Sequence, residues 1–245
     1  KLTEAARPFE KGVAIENDEG KMRLVPGGDG WQIYHPPNPE NEYIVSVDTA
    51  TGVLEGDYGC IQVFDRTFRY QVAEFYDKVP PDILAQQTAT AALLYNEAMV
   101  VPEIDGPGLA LLRELLDQYS NIYRRSNSTN WSAAWGFKTT HTTREAALTE
   151  LAQAIRLETW QFNSKRFLDE CLTFVYNNSG RAEALPGRHD DAVMACAIAI
   201  YVDKELGDVS QNNVPSQTKV YDRESVQSLM VRRDDFVDPH LGGIV

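Results

Sequence analysis

Cysteine is scarce in this chain. Three residues in 245, Cys60, Cys171 and Cys196, stand far apart, odd in number and without a CxxC pair. They offer no disulfide framework and read as buried, reduced thiols, as suits a cytoplasmic protein. Long apolar runs are missing too. Residues 192–202 form an apolar run too short to span a bilayer, so no membrane partner is expected. Residues 1–10 lack the apolar core of a signal peptide. No GxxxxGK[ST] phosphate loop occurs, so the chain is expected to hydrolyse no ATP. Basic residues are few: 23 Lys and Arg face 36 Asp and Glu, a net charge of -13. Taken alone, that balance argues against a general nucleic-acid binder.

The basic deficit is uneven. Residues 1–105 hold eight basic and eighteen acidic side chains, residues 106–188 ten and eight, and residues 202–245 five and eight. A mildly basic middle is therefore flanked by acidic ends. Arg124, Arg125, Lys138, Arg144, Lys165, Arg166, Arg181 and Arg188 supply most of the basic character. Such side chains can meet phosphates in a sequence-independent way, or simply make a solvated surface. Trp131, Trp135 and Phe137, just before Lys138, read as packing against a sheet, with base stacking as the alternative.

The 43% apolar content suffices for a core, and 24% charged residues is ordinary for a folded chain. The length suits one large domain with attachments. Residues 1–42, with PGGDG and HPPNP turn signals, read as an irregular lead-in arm or linker from something upstream. Residues 43–207 read as the folded domain, and 208–245 as a polar tail.

Within the domain, YIVSVD (43–48), GCIQVFD (59–65) and FRYQVAEFY (68–76) read as strands, and their short connections predict an antiparallel meander. A helix follows over 82–96, then a strand over 98–103, a helix over 106–119 and a short strand over 121–125. TTRE has capping-box spacing, which makes Thr142 the expected cap of a third helix. Residues 164–176 read as a further helix, and Asp190 opens the last. The expected fold is thus an α/β mixed sheet, three antiparallel strands and then β-α crossovers, flanked by helices.

Carboxylates stand at the ends of these elements. Asp48 ends the first strand, Glu103 the fourth, and Asp190 and Asp191 begin the last helix. Carboxylates forced together repel, and a divalent cation removes the repulsion. Two such ions can activate a water and stabilise the leaving oxygen of a phosphodiester. Each residue also has a plainer reading: Asp48 as a turn residue, Glu103 as an exposed strand end, the aspartate pair as helix caps. Spacing alone does not assemble them. His189 reads equally as a proton acceptor or ligand and as a helix-entry residue. Asp57 reads first as a turn residue. Gly106 and Gly108 suit a tight turn after Glu103.

Five stretches in order, YIVSVDTATGVLEGDYGCIQVFD, PEIDGPGLALLRELL, IYRR, WGFKTTHTTREAAL and GRHDDAVMACAIAIY, resemble the nuclease domain of the large terminase subunit of tailed bacteriophages. They spread across residues 43–201. The resemblance implies a ribonuclease H-like fold and a metal-dependent endonuclease. That enzyme cuts concatemeric viral DNA during packaging in the infected host's cytoplasm. It carries Asp48, Glu103 and Asp191 over as catalytic residues, and these with Asp190 as ligands of two Mg²⁺ or Mn²⁺ ions. Asp191 is the closer ligand of the pair. Asp57, Asp105 and His189 are accessory candidates. Asp105 stands where relatives often carry Asn. Arg124, Arg125, Lys138, Arg144 and Arg188 are the candidate DNA contacts. The implied partners are double-stranded DNA, an upstream ATPase motor domain, the small terminase and the portal protein. The alternatives are a resolvase or transposase core on the same fold, and a non-catalytic packaging or procapsid-docking module.

Overall fold

The computed structural model describes residues 10–18, 21–26, 30–49, 58–125, 134–177 and 180–209. Three strands, β1 (Glu10–Asp18), β2 (Lys21–Pro26) and β3 (Trp31–Ile33), occupy the stretch expected to be irregular. The turn signals there are punctuation: PGGDG follows β2 and HPPNP follows β3. The expected meander is present as β4 (Tyr43–Asp48), β5 (Gly59–Asp65) and β6 (Tyr70–Asp77). β6 starts two residues late because Arg69 turns the chain at φ 61°, while Asp65 Oδ1 accepts from the Phe68 amide at 2.9 Å. Asp57 lies outside the described residues.

Then come α1 (Pro81–Leu94), β7 (Met99–Pro102), α2 (Gly108–Gln118), α3 (His141–Leu157) and α4 (Lys165–Thr173). A small hairpin, β8 (Phe174–Tyr176) and β9 (Ala182–Ala184), leads to α5 (Asp191–Leu206). The main sheet runs β2-β1-β3-β6-β5-β4-β7, with β7 parallel to β4 and the other pairs antiparallel.

Three local expectations are corrected. Residues 121–125 form only isolated bridges, Val100 to Ile122 and Arg124 to Trp135, rather than a strand. The helix expected over 164–176 stops at Thr173, where Phe174, Val175 and Tyr176 pair with β9; β-branched and aromatic residues favour that extended state. The cap of α3 is Thr140, not Thr142. Thr140 Oγ1 accepts from the Thr143 amide at 3.2 Å, and Thr143 Oγ1 accepts from the Thr140 amide at 2.8 Å. A threonine hydroxyl does here what the usual glutamate does in a capping box.

Alternation sorts the sheet residues onto two faces. Val45, Val47, Ile61 and Val63 pack against α1 and α2. Ile44, Cys60, Tyr76 and Val101 pack against α3, α4 and α5. Residues 191–200 of α5 are all buried. A helix apolar all round belongs in an interior. Ser46 on β4 donates to the Ala195 carbonyl at 2.7 Å, tying strand to helix. Among the described residues no helix is long and apolar enough to cross a membrane.

Candidate metal centre

Register brings the acidic residues to one place. Asp48 shares the parity of Ile44 and Ser46, so it faces α5. Its partner across β4 and β5 is Cys60, and the partner of Cys60 across β5 and β6 is Tyr76. Asp48, Cys60 and Tyr76 therefore form one row on one face. On the other side, Val47 pairs with Pro102 in parallel register, and the Glu103 amide donates to the Val47 carbonyl at 2.9 Å. That sets Glu103 beside Asp48 at the same end of the sheet. The first turn of α5 brings Asp191 to this end.

The backbone around Glu103 is tightly fitted. A Cβ at Gly108 would stand 1.9 Å from the Glu103 carbonyl oxygen. Gly136 sits at φ 70°, where a Cβ would meet Ile104 at 2.2 Å. The Ile104 amide donates to the Phe137 carbonyl at 2.9 Å. This ladder presents Thr139, whose hydroxyl donates to Glu103 Oε1.

The electrostatics of the cluster follow. Burial pushes the Asp48 carboxyl well above the usual range, and Glu103 adds to this by its charge and by a shared hydrogen bond. Asp191 and Asp190 raise it further. Asp191 is buried and its Oδ2 accepts from the Tyr76 phenol at 2.9 Å. Burial first, then the Asp191 charge, holds the Tyr76 hydroxyl well above its ordinary pKa, so it stays a donor. His189 Nδ1 lies 3.7 Å from the same oxygen.

The Asp190 carboxylate does not cap α5. Asp190 occupies the N-cap position of α5 without a side-chain cap hydrogen bond. Its carboxylate meets Arg144 instead, at 2.7 Å. The capping is done by Glu170 of α4, whose Oε2 accepts from the Ala192 and Val193 amides at 2.8 and 3.0 Å. Burial raises the Glu170 carboxyl to about 7, and Asp191 adds to the rise while the two amides oppose it.

Other expected site residues are placed as follows. Asp105 is exposed and lines a cavity of about 580 Å³ together with Thr139, Arg144, Arg156 and Arg181. Arg124 lies over the Trp135 ring at 3.5 Å, and Arg125 donates to the Gly136 carbonyl at 3.0 Å. Lys138 and Arg188 are exposed. Phe137 is buried and packs on Tyr201 of α5 at 5.7 Å, the packing role expected of it. Three participants were not singled out in the sequence: Tyr76, Thr139 and Glu170. Tyr76 does carry a signal, since its parity matches that of Asp48 once the strand register is known.

By chemical type, though not by its present spacing, the donor set suits a hard divalent cation. It consists of carboxylate oxygens, and their crowding adds to the burial that raises the Asp48 carboxyl, a repulsion of the kind a divalent ion relieves. Closure is incomplete: among the described residues, no three His, Cys, Asp or Glu side chains stand in an arrangement that could hold a metal ion.

The mixed sheet flanked by helices is consistent with the ribonuclease H-like fold expected from the sequence. The chain is similar to the large terminase nuclease of thermophilic phage G20c solved with bound magnesium. That likeness has a TM-score of 0.58 and 18% identity, over 80% of this chain and 96% of that one. A G20c structure with bound cobalt gives 0.57 at 18% identity over the same shares. The large terminase nuclease domain of Thermus phage P74-26 gives 0.54 at 20% identity, over 77% of this chain and 88% of the other. At these identities the likeness is one of fold, and it agrees with the resemblance read from the sequence. No family model and no curated protein matches the chain.

Proposed function

We propose that this chain is a metal-dependent DNA endonuclease that cuts concatemeric viral DNA during genome packaging, with little sequence specificity. The observation that carries the reading is the convergence on Asp48. Three elements far apart in sequence meet there: the Glu103 amide bonds to the Val47 carbonyl beside it, Asp191 accepts from Tyr76 in the same row, and burial, with the charges of Glu103, Asp191 and Asp190 added, raises its carboxyl. Folding spends stability on such a cluster, and a bound cation would return it. The fold likeness to terminase nucleases, one solved with magnesium and another with cobalt, supports the same reading.

Asp48, Glu103 and Asp191 would hold two Mg²⁺ or Mn²⁺ ions, with Asp190 beside them. When bound, such ions lower the pKa of water and neutralise charge on the scissile phosphate. The chain's own residues do the positioning. Thr139 orients Glu103, Tyr76 and His189 orient Asp191, and Arg144 holds Asp190. Lys138 and Arg188, both exposed, would meet DNA phosphates. Arg124 and Arg125 would do so from a braced ladder. Phosphate contacts carry no sequence information, which fits nonspecific cutting. The partners in this reading are double-stranded DNA, an ATPase motor domain, the small terminase and the portal, in the host cytoplasm.

The test is cleavage of supercoiled plasmid by wild type and Asp48→Ala in Mn²⁺, Mg²⁺ or EDTA. Nicking and linearisation that need the metal and vanish in the variant are expected. No cutting with any metal, together with no calorimetric metal binding, overturns the reading in favour of a non-catalytic docking module.

A further inference from the structure

Tyr76 is built into its place more firmly than packing requires. Its ring is buried on β6, in the row that runs through Cys60 to Asp48. The Arg166 guanidinium carbon lies over that ring, 3.7 Å from its centroid. Tyr58 stacks on it at 4.5 Å and 19°. Two layers this close cannot share one face, so the ring is held between them. Lys78 in turn lies over the Tyr58 ring at 4.8 Å. His189 meets the edge of Tyr58 at 5.3 Å and 87°. Each layer is a cation–π or ring–ring contact of a kind that fixes orientation as well as depth.

The one polar atom of this clamped ring points at the metal centre. Its hydroxyl donates to Asp191 Oδ2 at 2.9 Å, and His189 Nδ1 approaches the same oxygen at 3.7 Å. Asp191 heads a buried helix whose own amides are capped from elsewhere, by Glu170. The Tyr76 bond therefore reaches the Asp191 carboxylate from a neighbouring strand rather than from the helix that carries it.

We propose that Tyr76, clamped between Arg166 and Tyr58, is the positioning residue that turns the Asp191 carboxylate toward the metal ions. The inference rests on the nuclease reading above. Hydrogen bonds that orient a ligating group are worth about 10–100-fold in metal affinity or activity. A tyrosine present only to fill space would contribute nothing of that kind.

The experiment is a calorimetric titration of MnCl₂ into the full chain, alongside plasmid nicking as a function of Mn²⁺ concentration and melting in EDTA. Tyr76→Phe keeps both stacked layers and removes only the hydroxyl. It is expected to weaken Mn²⁺ binding about 10–100-fold, to raise the Mn²⁺ needed for half-maximal nicking by a similar factor, and to recover much of the nicking at saturating Mn²⁺. Its melting in EDTA is expected to match wild type. Wild-type Mn²⁺ affinity and wild-type metal requirement in Tyr76→Phe would overturn the proposal while leaving the nuclease reading intact. No Mn²⁺ binding by the wild type itself would sink that reading and this inference with it. Should Tyr76→Phe melt early, Tyr58→Leu provides the second arm. It removes one layer of the clamp without changing charge and keeps the hydroxyl. Weaker Mn²⁺ binding in Tyr58→Leu is expected, and unchanged binding would overturn the clamp.

Discussion

Arg144 Nη2 stands 2.7 Å from Asp190 Oδ2, and both side chains are largely screened from water. The next residue, Asp191, takes its hydrogen bond from Tyr76. Two adjacent aspartates thus differ in their partners: a guanidinium at Asp190, and a phenol with an imidazole nearby at Asp191. A carboxylate already paired with an arginine gains less from a metal ion than one without a guanidinium against it. Asp191→Asn is accordingly expected to lower plasmid nicking by about 100-fold or more, the equivalent of several kcal/mol of metal-centred stabilisation. Asp190→Asn should cost about tenfold or less. Initial nicking rates at saturating Mn²⁺ decide this, and a greater loss in Asp190→Asn would reverse the assignment.

The cap of α3 gives a stability prediction that separates two threonines. Thr140 makes both bonds of the box, while Thr142 is an exposed first-turn residue. Thr140→Ala should lose about 1 kcal/mol and Thr142→Ala close to nothing. Urea denaturation of the two variants measures the difference directly.

Glu170 predicts a pH dependence. Its carboxyl moves from an ordinary 4.5 to about 7, chiefly through burial. The folded chain then holds this proton more tightly than the unfolded one. Stability from this group is present below pH 4.5 and is lost as pH rises toward 7, by at most about 3 kcal/mol. Glu170→Gln keeps an oxygen to accept from the Ala192 and Val193 amides but cannot ionise. In EDTA the variant should be more stable than wild type at pH 8, with the gap closing by pH 4.5. Equal pH profiles for the two proteins would show that burial does not act on Glu170 in this way.

Gly108 is expected to be as sensitive as an acidic ligand. A methyl group there meets the Glu103 carbonyl oxygen at 1.9 Å, and that oxygen belongs to the backbone and cannot rotate aside. Gly108→Ala should cost about 1–3 kcal/mol of stability. Because the displaced residue carries a proposed ligand, nicking should fall about 100-fold even where the variant is fully folded. Folded variant protein that nicks at the wild-type rate would contradict the link between this turn and Glu103.

Much of this architecture was legible because it is local. The alternation in YIVSVD and GCIQVFD and the carboxylates closing their elements are readable within a few residues. The missed parts are relations between elements. Tyr76 belongs to the centre only through the register of two strand pairs. Glu170 lies within α4 and caps a different helix. Asp190 and Asp191 looked like caps because nothing in the sequence reveals that another residue has taken that duty. The strands before residue 34 were hidden by strong turn signals on either side of them. Thr142 was preferred to Thr140 because the usual pattern asks for glutamate where Thr143 serves.

The bond from Ser46 to the Ala195 carbonyl joins residues 149 positions apart. During synthesis Asp48 and Glu103 leave the ribosome long before α5 exists. Until that helix emerges and docks, the nascent chain has the strand ends without Asp191, and the buried face of β4 has no cover. The centre is therefore completed only once α5 docks on that face. A growing chain carries no complete acidic cluster until α5 has been made.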